Sequence, residues 1–515
     1  MKIDRRKFLL HGASTAVVGC AFPAAPASQA SASPRIELAR DPLRPQYHLL
    51  PAANWINDPN APIYWNGEYH MFYQYNPDGA YWGDMHWGHA ISNDMVHWKN
   101  LPIAIAPTPG GPDADGCFTG TAVLEGNEVI VLYTGVVAVP PERATSKGTL
   151  NFRETQCLMT SSDPQLKTWT KLDAPVIAEP PAGMQVNGFR DPSPWRQGDW
   201  WYMVLGSGLA NRGGVVLLYK SKDLRDWEFV HVLAGRNADM GHSFEPYNPW
   251  EVWECPELFA LDGKHVLIFS TQGKAYWQSG MLDAQTMQFH PERAGLVDYG
   301  SYYAPKTQVD KSGRRILWGW IQEARPLDQY KAAGWAGMIS LPRVLTLDED
   351  GQLNSRVASE VKTLRSGELS LKMGADEESN TRQIEAIRIK DCCGQLECVV
   401  RRTADNFGLT LLGSATNSSS WLTVEYNSQR PAEISIDARP LPLQLSDSEN
   451  FDLEFFFDGS VIEAFVNGKI AYTKRFYYSG ATLQDMDVKW TGKTTNIVRM
   501  SVHGISPISL DRLTS

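Results

Sequence analysis

A polar turn followed by an aromatic residue recurs four times in the first two-thirds of the sequence, at intervals of about 60 residues. The runs between these turns are short, rich in β-branched and aromatic residues, and bounded by Gly, Asn, Asp or Pro. Repeats of this length built from short strands are typical of β-propeller blades. We therefore predict an all-β fold in which residues 45–345 form a five-bladed β-propeller. The four copies are Ser92-Asn93-Asp94 before Trp98, Ser161-Ser162-Asp163 before Trp169, Ser221-Lys222-Asp223 before Trp227 and, more loosely, Asp283 before Phe289.

The pattern changes after Leu347. Residues 346–380 are mostly polar and are predicted to be a linker. Beyond them, alternating runs such as 383–389, 451–457 and 461–466 predict strands joined by tight turns. Residues 381–510 are therefore predicted to form a C-terminal β-sandwich. This second domain has no obvious group of acids, so we expect it to have a packing or accessory role.

The first 32 residues are predicted to be an export signal. The paired arginines Arg5 and Arg6 precede an apolar run, and Ala30-Ser31-Ala32 is a small-residue cleavage pattern. Paired arginines indicate the twin-arginine export route of bacteria, so a periplasmic or extracellular protein is expected. Val17-Val18-Gly19-Cys20 resembles a lipoprotein box, which leaves a lipid anchor at Cys20 as an alternative. No later apolar run is long enough to predict a transmembrane segment.

Composition narrows the class of partner. The formal net charge of −10 offers no basic surface for nucleic acid, so the expected partner is a small molecule. The cysteines beyond Cys20 lack zinc-ligand spacing, and no cofactor is predicted. His86 and His89 have the spacing of metal ligands but no suitable third ligand nearby, so no metal site is predicted either. The oligomeric state is not predicted from the sequence.

Three acids share one local pattern. Asn57-Asp58-Pro59, Arg190-Asp191-Pro192 and Glu254-Cys255-Pro256 each place a carboxylate one or two residues before a proline. Proline disfavours the helical conformation in the residue before it, so each acid is presented from an extended or turn-like backbone. One such motif is consistent with an ordinary turn. Three in one chain indicate a site.

These motifs are part of a wider resemblance. The chain resembles glycoside hydrolase family 32, the β-fructosidases, which include invertases, inulinases, levanases and related fructosyltransferases. The family fold is a five-bladed propeller followed by a β-sandwich, and the resemblance covers nearly the whole chain after the leader. It rests on Trp55-Ile56-Asn57-Asp58-Pro59-Asn60, Phe72-Tyr73-Gln74-Tyr75-Asn76-Pro77, Trp82-Gly83-Asp84-Met85-His86-Trp87-Gly88-His89, Phe189-Arg190-Asp191-Pro192, Trp253-Glu254-Cys255-Pro256, Asp298-Tyr299-Gly300, Trp318-Gly319-Trp320 and Gly334-Trp335-Ala336-Gly337.

The resemblance implies roles for these residues. Asp58 is expected to be the nucleophile, Glu254 the general acid/base and Asp191 a transition-state stabiliser. A glycosidic bond breaks through a cation-like transition state, so one carboxylate must face the anomeric carbon and a second group must protonate the leaving oxygen. Arg190 is equally consistent with a structural ion pair. The residues expected to line the fructose pocket are Asn57, Gln74, Trp82, Phe118, Thr119, Arg190, Tyr303 and Trp320.

The local sequence suggests how the two main acids differ. Trp253 is expected to place apolar surface beside Glu254 and so to raise the pKa of that acid. Asn57 and Asn60 are expected to give Asp58 polar neighbours. Cys255 is expected to be a small buried residue beside the site rather than a nucleophile.

The expected activity is hydrolysis of terminal β-D-fructofuranosyl bonds in sucrose and short fructo-oligosaccharides by a secreted, retaining enzyme with a covalent fructosyl-enzyme. Resemblance to plant acid invertases in residues 298–341 favours these substrates. Departures at Ala61, Asp84, Thr119 and Glu257 from the residues usual in the family remove none of the three acids. A fructan hydrolase and a fructosyltransferase are the alternatives, and a non-catalytic sugar-binding propeller is a third.

Overall fold

The computed structural model describes residues 38–509, apart from 149, 211, 237–250, 414–419, 447 and 479–482, together with residue 513. The predicted export signal at 1–32, with Cys20, lies outside the described residues. Within them, the regular structure is almost entirely β, and the two α-helices are α1 (Leu327–Ala333) and α2 (Glu377–Glu385). No helix in the described part of the chain is long and apolar enough to cross a membrane.

Strands occupy most of the described chain. Those of the N-terminal part are β1 (Asn54–Trp65), β2 (Glu68–Asn76), β3 (His86–Ser92), β4 (Trp98–Ile105), β5 (Cys117–Glu125), β6 (Glu128–Ala138), β7 (Phe152–Ser161), β8 (Thr170–Lys171), β9 (Val186–Gln197), β10 (Trp200–Leu209), β11 (Gly213–Ser221), β12 (Glu228–Gly235), β13 (Glu254–Leu261), β14 (Lys264–Thr271), β15 (Lys274–Leu282), β16 (Phe289–Leu296), β17 (Tyr303–Val309), β18 (Arg315–Ile321), β19 (Trp335–Ala336), β20 (Met338–Ile339), β21 (Arg343–Leu347) and β22 (Leu353–Val357). Those of the C-terminal part are β23 (Arg365–Leu371), β24 (Arg388–Ile389), β25 (Cys393–Val400), β26 (Phe407–Gly413), β27 (Ser420–Tyr426), β28 (Glu433–Ile436), β29 (Arg439–Pro442), β30 (Phe451–Asp458), β31 (Val461–Val466), β32 (Ile470–Arg475), β33 (Met486–Thr491) and β34 (Ile497–Ile505).

The N-terminal strands form five sheets. Their orders are β19-β1-β2-β3-β4, β5-β6-β7-β8, β12-β11-β10-β9, β13-β14-β15-β16 and β17-β18-β21-β22, with β20 also paired to β18. The first strands β1, β5, β9, β13 and β17 contact one another in cyclic order, and the β1–β17 contact closes the ring. One buried apolar cluster lies between each neighbouring pair of sheets. This arrangement agrees with the expected five blades, and the all-β prediction is confirmed.

The sequence repeat is a turn that joins the third and fourth strands of a sheet. In the first copy, the Asp94 carboxylate accepts hydrogen bonds from the backbone N–H groups of Val96 and His97. Met95 adopts a positive φ of 66°, and the Trp98 indole donates to the Met95 carbonyl over 3.1 Å. The aspartate thus fixes a strained turn, and the indole covers it. The same two contacts recur at Asp163 with Trp169 and at Asp223 with Trp227, and Asp283 repeats the carboxylate part.

The C-terminal strands form two six-stranded sheets that pack face to face. Their orders are β23-β34-β25-β30-β31-β32 and β24-β33-β26-β27-β28-β29, with one large apolar cluster between them. Alternation along β30, where Phe451, Leu453 and Phe455 are buried, supplies part of that core. The predicted β-sandwich is confirmed.

Two local predictions differ from the structure. The stretch 346–380, predicted as a linker, contains β22 of the fifth sheet, the edge strand β23 and the beginning of α2. Its polar composition reflects exposure: β23 is exposed along most of its length. The predicted strand at 383–389 contains the end of α2, which stops at Glu385, and the short strand β24 (Arg388–Ile389). The first turn of α2 is capped by the Asp376 carboxylate. Ile384 and Ile387 are both buried, and their spacing of three fits the period of a helix rather than the alternation of a strand.

A buried network of charges joins the two domains. His48 lies before the first sheet, and its Nδ1 and Nε2 contact Asp458 Oδ2 at 2.8 Å and Glu463 Oε1 at 2.9 Å. Arg343, on β21, bridges Glu463 and Asp298, and all of these side chains are fully buried. Burial alone would lower the pKa of His48, but hydrogen bonds to the two carboxylates outweigh it and raise the pKa to about 9. The sandwich is therefore attached to the propeller by ionic contacts as well as by apolar packing.

Candidate active site

Every first strand of the five sheets has a break in register near its beginning. The breaks lie between Ile56 and Pro59, Cys117 and Gly120, Arg190 and Ser193, Glu254 and Glu257, and Tyr303 and Lys306. Such bulges leave residues unpaired and turn their side chains out of the sheet plane. Proline, which cannot donate to the ladder, occupies three of them, at 192, 256 and 305. Because the first strands form a ring, the side chains at the five breaks meet in one place.

Asp58 is held by donors from three of these strands. Its Oδ2 accepts from the Thr119 hydroxyl at 2.6 Å, and its Oδ1 accepts from the Asn57 amide at 3.0 Å. The Cys255 thiol lies 3.4 Å from Oδ2. Asn57 is itself fixed by the Trp55 indole, which donates to its Oδ1 at 2.7 Å. The carboxylate therefore has a defined orientation.

Glu254 has a different set of partners. Arg190 Nη2 donates to its Oε1 at 2.7 Å, and the Tyr303 hydroxyl donates to its Oε2. The Glu254 side chain keeps 30% of its surface exposed, whereas Arg190 keeps 13%. The Arg190 guanidinium thus lies beside the acids and forms ion pairs there, as the structural alternative expected.

Asp191 is connected to Asp58 through Cys255, and its backbone is held by Thr134. It has a positive φ of 63°, its Oδ2 accepts from the Cys255 backbone N–H at 2.8 Å, and its own N–H donates to Thr134. Cys255 thus touches two acids, through its backbone to Asp191 and through its thiol to Asp58. It is almost fully buried, which agrees with the expected small buried residue. The structure brings all three predicted acids together.

Burial is the largest cause of the pKa shifts of Asp58 and Asp191. Removal from water raises the pKa of Asp58, and hydrogen bonds from Thr119 and Asn57 oppose that rise. Burial raises the pKa of Asp191 to about 7; Arg190 opposes the rise, and the Glu254 and Asp58 carboxylates add to it. Burial, reinforced by the Asp191 and Asp58 charges, also raises the pKa of the Cys255 thiol, which therefore stays protonated.

Half-buried aromatic rings surround the acids. The rings of Tyr303 and Trp320 meet edge to face with centroids 6.4 Å apart, and Trp320 contacts Trp55 in the same way at 5.8 Å. On another side, Trp82 and Phe118 form an edge-to-face pair at 6.1 Å. Four of the predicted pocket residues therefore form two edge-to-face pairs. Rings that are half exposed in this way offer apolar faces to a sugar.

Three expectations about neighbours are changed by the structure. Trp253 does not face Glu254, because its fully buried indole stacks on Phe269 at 3.9 Å and donates to Glu251. Consecutive strand residues point to opposite faces, so the residue beside an acid packs in the core. Asn60 is fully buried and its amide lies against Gln74 rather than Asp58. Gln74 was predicted to line the fructose pocket, but its side chain is buried, with 2% exposure. Its amide donates to the Cys117 carbonyl and so joins β2 to β5.

One residue of the site was not predicted. Glu154, on β7, is completely buried and accepts from Arg190 Nη1 at 2.7 Å. It has no proline beside it and no motif around it, so nothing in the sequence marks it. Among the described residues, no group of three or more His, Cys, Asp or Glu side chains is arranged to hold a metal ion. His86 and His89 lie on opposite faces of β3, three residues apart.

Comparisons with known proteins agree with this geometry. Residues 48–356 match "Glycosyl hydrolases family 32 N-terminal domain", and residues 360–504 match "Glycosyl hydrolases family 32 C terminal". A sucrose-6-phosphate hydrolase from Escherichia coli is 35% identical over 459 residues, which are 84% of this chain and 89% of that protein. A β-fructofuranosidase from Bombyx mori has a TM-score of 0.72 at 28% identity, covering 92% of this chain and 96% of that structure. A fructan 1-exohydrolase IIa from Cichorium intybus has a TM-score of 0.74 at 26% identity, covering 90% and 98%. The chain therefore belongs to glycosyl hydrolase family 32 and is a glycoside hydrolase that acts on β-fructofuranosides.

Proposed function

We propose that this protein is an exported, retaining β-fructofuranosidase that releases terminal fructose from sucrose and short fructo-oligosaccharides. The observation that carries this proposal is the difference between the partners of two neighbouring carboxyl groups. Asp58 receives hydrogen bonds from neutral donors, Thr119 and Asn57, whereas Glu254 contacts Arg190 and the Tyr303 hydroxyl. Retaining hydrolysis needs two carboxyl groups with separate tasks.

In the proposed reaction, Asp58 attacks the anomeric carbon of the fructosyl unit. The bond from that carbon to the glycosidic oxygen breaks, and Glu254 gives its proton to the departing oxygen. A water molecule then attacks the same carbon, Glu254 takes the proton of that water, and the Asp58 carboxylate leaves. Asp191 is proposed to bind fructose hydroxyl groups, and its pKa of about 7 lets it donate or accept a hydrogen bond near neutral pH.

The aromatic residues are proposed to bind the sugar. Trp82 with Phe118 and Tyr303 with Trp320 present half-exposed rings on two sides of the acids. Stacking on such rings suits the apolar faces of a furanose or of a leaving glucose unit. Asn57, Thr119 and Arg190 are proposed to fix the acids rather than to choose the substrate.

A second candidate activity is hydrolysis of sucrose 6-phosphate. The named activity of the Escherichia coli relative favours it, since that protein aligns with 84% of this chain. The name of the Cichorium intybus structure similarly keeps fructan hydrolysis as an alternative. Fructosyl transfer to a sugar acceptor shares the same covalent intermediate and remains the other alternative.

Product analysis decides between these activities. The purified protein is incubated separately with sucrose, sucrose 6-phosphate, inulin and levan, and free glucose, glucose 6-phosphate, fructose and longer sugars are measured over time. Equal glucose and fructose from sucrose, with slow attack on the polymers, is the expected result. A strong preference for sucrose 6-phosphate supports the second candidate. Excess glucose with longer sugars indicates a transferase, and fructose from polymer alone indicates a fructan hydrolase.

Retention is tested with methanol as the acceptor. A covalent intermediate attacked from the face that the leaving group left yields methyl β-D-fructofuranoside, whereas single displacement yields the α-anomer. Proton NMR of early products distinguishes the two. The α-anomer as first product would contradict the proposed mechanism.

Export is tested by fractionating cells of a bacterial host with a twin-arginine pathway. Activity is expected outside the cytoplasm, and replacing Arg5 and Arg6 by Lys is expected to retain it inside. Mass spectrometry of the exported protein separates cleavage near Ala32 from lipidation at Cys20. Activity confined to the cytoplasm in both forms would overturn this part of the proposal.

A further inference from the structure

The guanidinium of Arg190 lies between two carboxylates. Its Nη2 donates to Glu254 Oε1 and its Nη1 donates to Glu154 Oε1, both over 2.7 Å. Nη1 also lies 3.3 Å from the Ser146 hydroxyl. The guanidinium is planar and its N–H donors have fixed directions. The position of Glu154, which holds Nη1, therefore determines where Nη2 points.

Glu154 is built into the fold more firmly than the residues it supports. Its side chain has no exposed surface, whereas that of Glu254 is 30% exposed. Its Oε2 accepts from the Phe189 backbone N–H at 2.6 Å, and Thr145 Oγ1 lies 3.4 Å away. Phe189 is the residue before Arg190, so Glu154 holds the strand β9 and the Arg190 side chain together. These contacts fix the position of the Glu154 carboxyl group beside Arg190.

An arginine beside a general acid creates a chemical conflict. A cation at hydrogen-bond distance favours the ionised form of a carboxyl group. Glu254, if it acts as acid and then as base, must hold a proton in one step and lose it in the other. The Tyr303 hydroxyl can donate or accept and so suits both forms, whereas Arg190 can only donate. A second carboxylate paired with Arg190 would offset the positive charge of the guanidinium.

We propose that Glu154 is a positioning residue that neutralises Arg190, so that Arg190 aligns Glu254 without holding it permanently ionised. This inference rests on the proposed acid/base role of Glu254. The pair of Arg190 and Glu154 carries no net charge, and the hydrogen bond to Glu254 is kept for orientation. Glu154 touches neither substrate nor reacting atoms and acts entirely through Arg190.

Several other groups surround Glu254 and remain unchanged in the test. Each of these groups is kept in every variant, so a change in the pH profile comes from the substituted residue. The titratable and charged groups that face this part of the site from the neighbouring strands are Asp58, Asp191, Cys255, Tyr303 and Lys306.

The first test is the pH profile of Glu154→Gln. Glutamine keeps the shape of Glu154 and an oxygen acceptor for the Phe189 N–H. It removes the charge of Glu154, so that Glu254 is the remaining carboxylate paired with Arg190. The alkaline limb of kcat/KM for sucrose is expected to move to lower pH by about one unit, since an uncompensated cation favours the ionised acid. With p-nitrophenyl β-D-fructofuranoside, whose leaving group needs little protonation, the loss is expected to be much smaller.

Two further variants separate charge from shape. Glu154→Asp keeps the charge but shortens the side chain, so we expect a lower rate with the alkaline limb near its wild-type position. Arg190→Gln combined with Glu154→Gln removes both charges, so its alkaline limb is expected to return towards the wild type. Glu179→Gln is the matched control, because Glu179 pairs with Arg153, the neighbour of Glu154, at an exposed site. Its profile is expected to stay unchanged.

The outcomes that would overturn the proposal are distinct. A uniform loss at every pH and on both substrates would show that Glu154 is only structural. The same shifted limb in Glu154→Asp as in Glu154→Gln would refute the argument from charge. The proposed function fails separately, because that failure would appear in the wild type as absent sucrose hydrolysis or as an α-configured methanol product.

Discussion

At the scale of single residues, the hydroxyl of Thr119 controls the state of Asp58. It donates to Asp58 Oδ2 at 2.6 Å and opposes the rise in the pKa of that carboxyl caused by burial. Thr119→Val keeps the shape and removes the donor. A hydrogen bond to a charged group contributes roughly 1.5–3 kcal/mol, so kcat is expected to fall by about 10- to 100-fold. The pKa of Asp58 is expected to rise, which moves the acid limb of kcat/KM to higher pH.

The control for this change is Thr168→Val. Thr168 also donates to an aspartate, Asp163, at 2.9 Å, but in an exposed turn far along the chain. Its pH profile is expected to match the wild type. An acid limb that stays in place in Thr119→Val would mean that Asp58 does not govern it.

Removing either main acid gives the largest expected effect. Asp58→Ala and Glu254→Gln are each expected to lower kcat by several orders of magnitude, because the proposed reaction uses both in the transition state. The thermal midpoint should stay the same or rise, since crowded and partly buried carboxylates destabilise the fold that holds them. Activity assays and calorimetry on the same preparations check both statements. A large fall in the midpoint would assign these residues to packing instead.

At the scale of elements, the acid-proline motifs were readable because a local rule produces them. Each site strand needs a bulge, and proline before the paired part marks that bulge at 192 and 256. The same rule reaches Tyr303-Ala304-Pro305, which carries no acid at the bulge but supplies the hydroxyl that meets Glu254. Glu154 escaped because its role depends on contact between strands β7 and β9. No spacing within one strand encodes that contact.

The contact between β19 and β1 is an element-scale constraint on the site. Gly337 follows β19 and has a φ of 79°, and a Cβ there would lie 2.2 Å from the Ile56 carbonyl oxygen. Ile56 is two residues before Asp58, so Gly337→Ala is expected to displace β1 and lower kcat. The positive φ adds about 1–2 kcal/mol of strain, so the thermal midpoint should fall by several degrees.

Gly374→Ala is the matched control for that substitution. Gly374 has no atom within 4 Å of its added Cβ and no positive φ. Its activity and thermal midpoint are expected to stay near the wild type. Equal behaviour of the two variants would show that β1 tolerates movement at this contact.

At the scale of the whole molecule, buried ion pairs connect the propeller and the sandwich. The sequence predicted both folds, because strand alternation and repeat length are local patterns. It assigned the sandwich only a packing or accessory role. The structure adds that Asp458 and Glu463 of the sandwich contact His48, which precedes the propeller strands. Contacts between residues about 410 positions apart leave no trace in either local pattern.

These buried ion pairs predict a loss of stability at alkaline pH. The pKa of His48 is raised from 6.5 to about 9 in the folded protein by hydrogen bonds to Asp458 and Glu463 that outweigh burial. A raised pKa in the folded state stabilises the protein fully below about pH 6.5, and that stabilisation is lost as pH rises through about 9. The free energy involved is roughly 3 kcal/mol.

His48→Gln should therefore unfold at a lower denaturant concentration than the wild type at about pH 6, and the difference should shrink by about pH 10. His97→Gln, which removes an exposed histidine paired with Asp94, should follow the wild type throughout. Equilibrium unfolding across this range measures the difference, and a gap of constant size would mean that His48 carries no proton to lose.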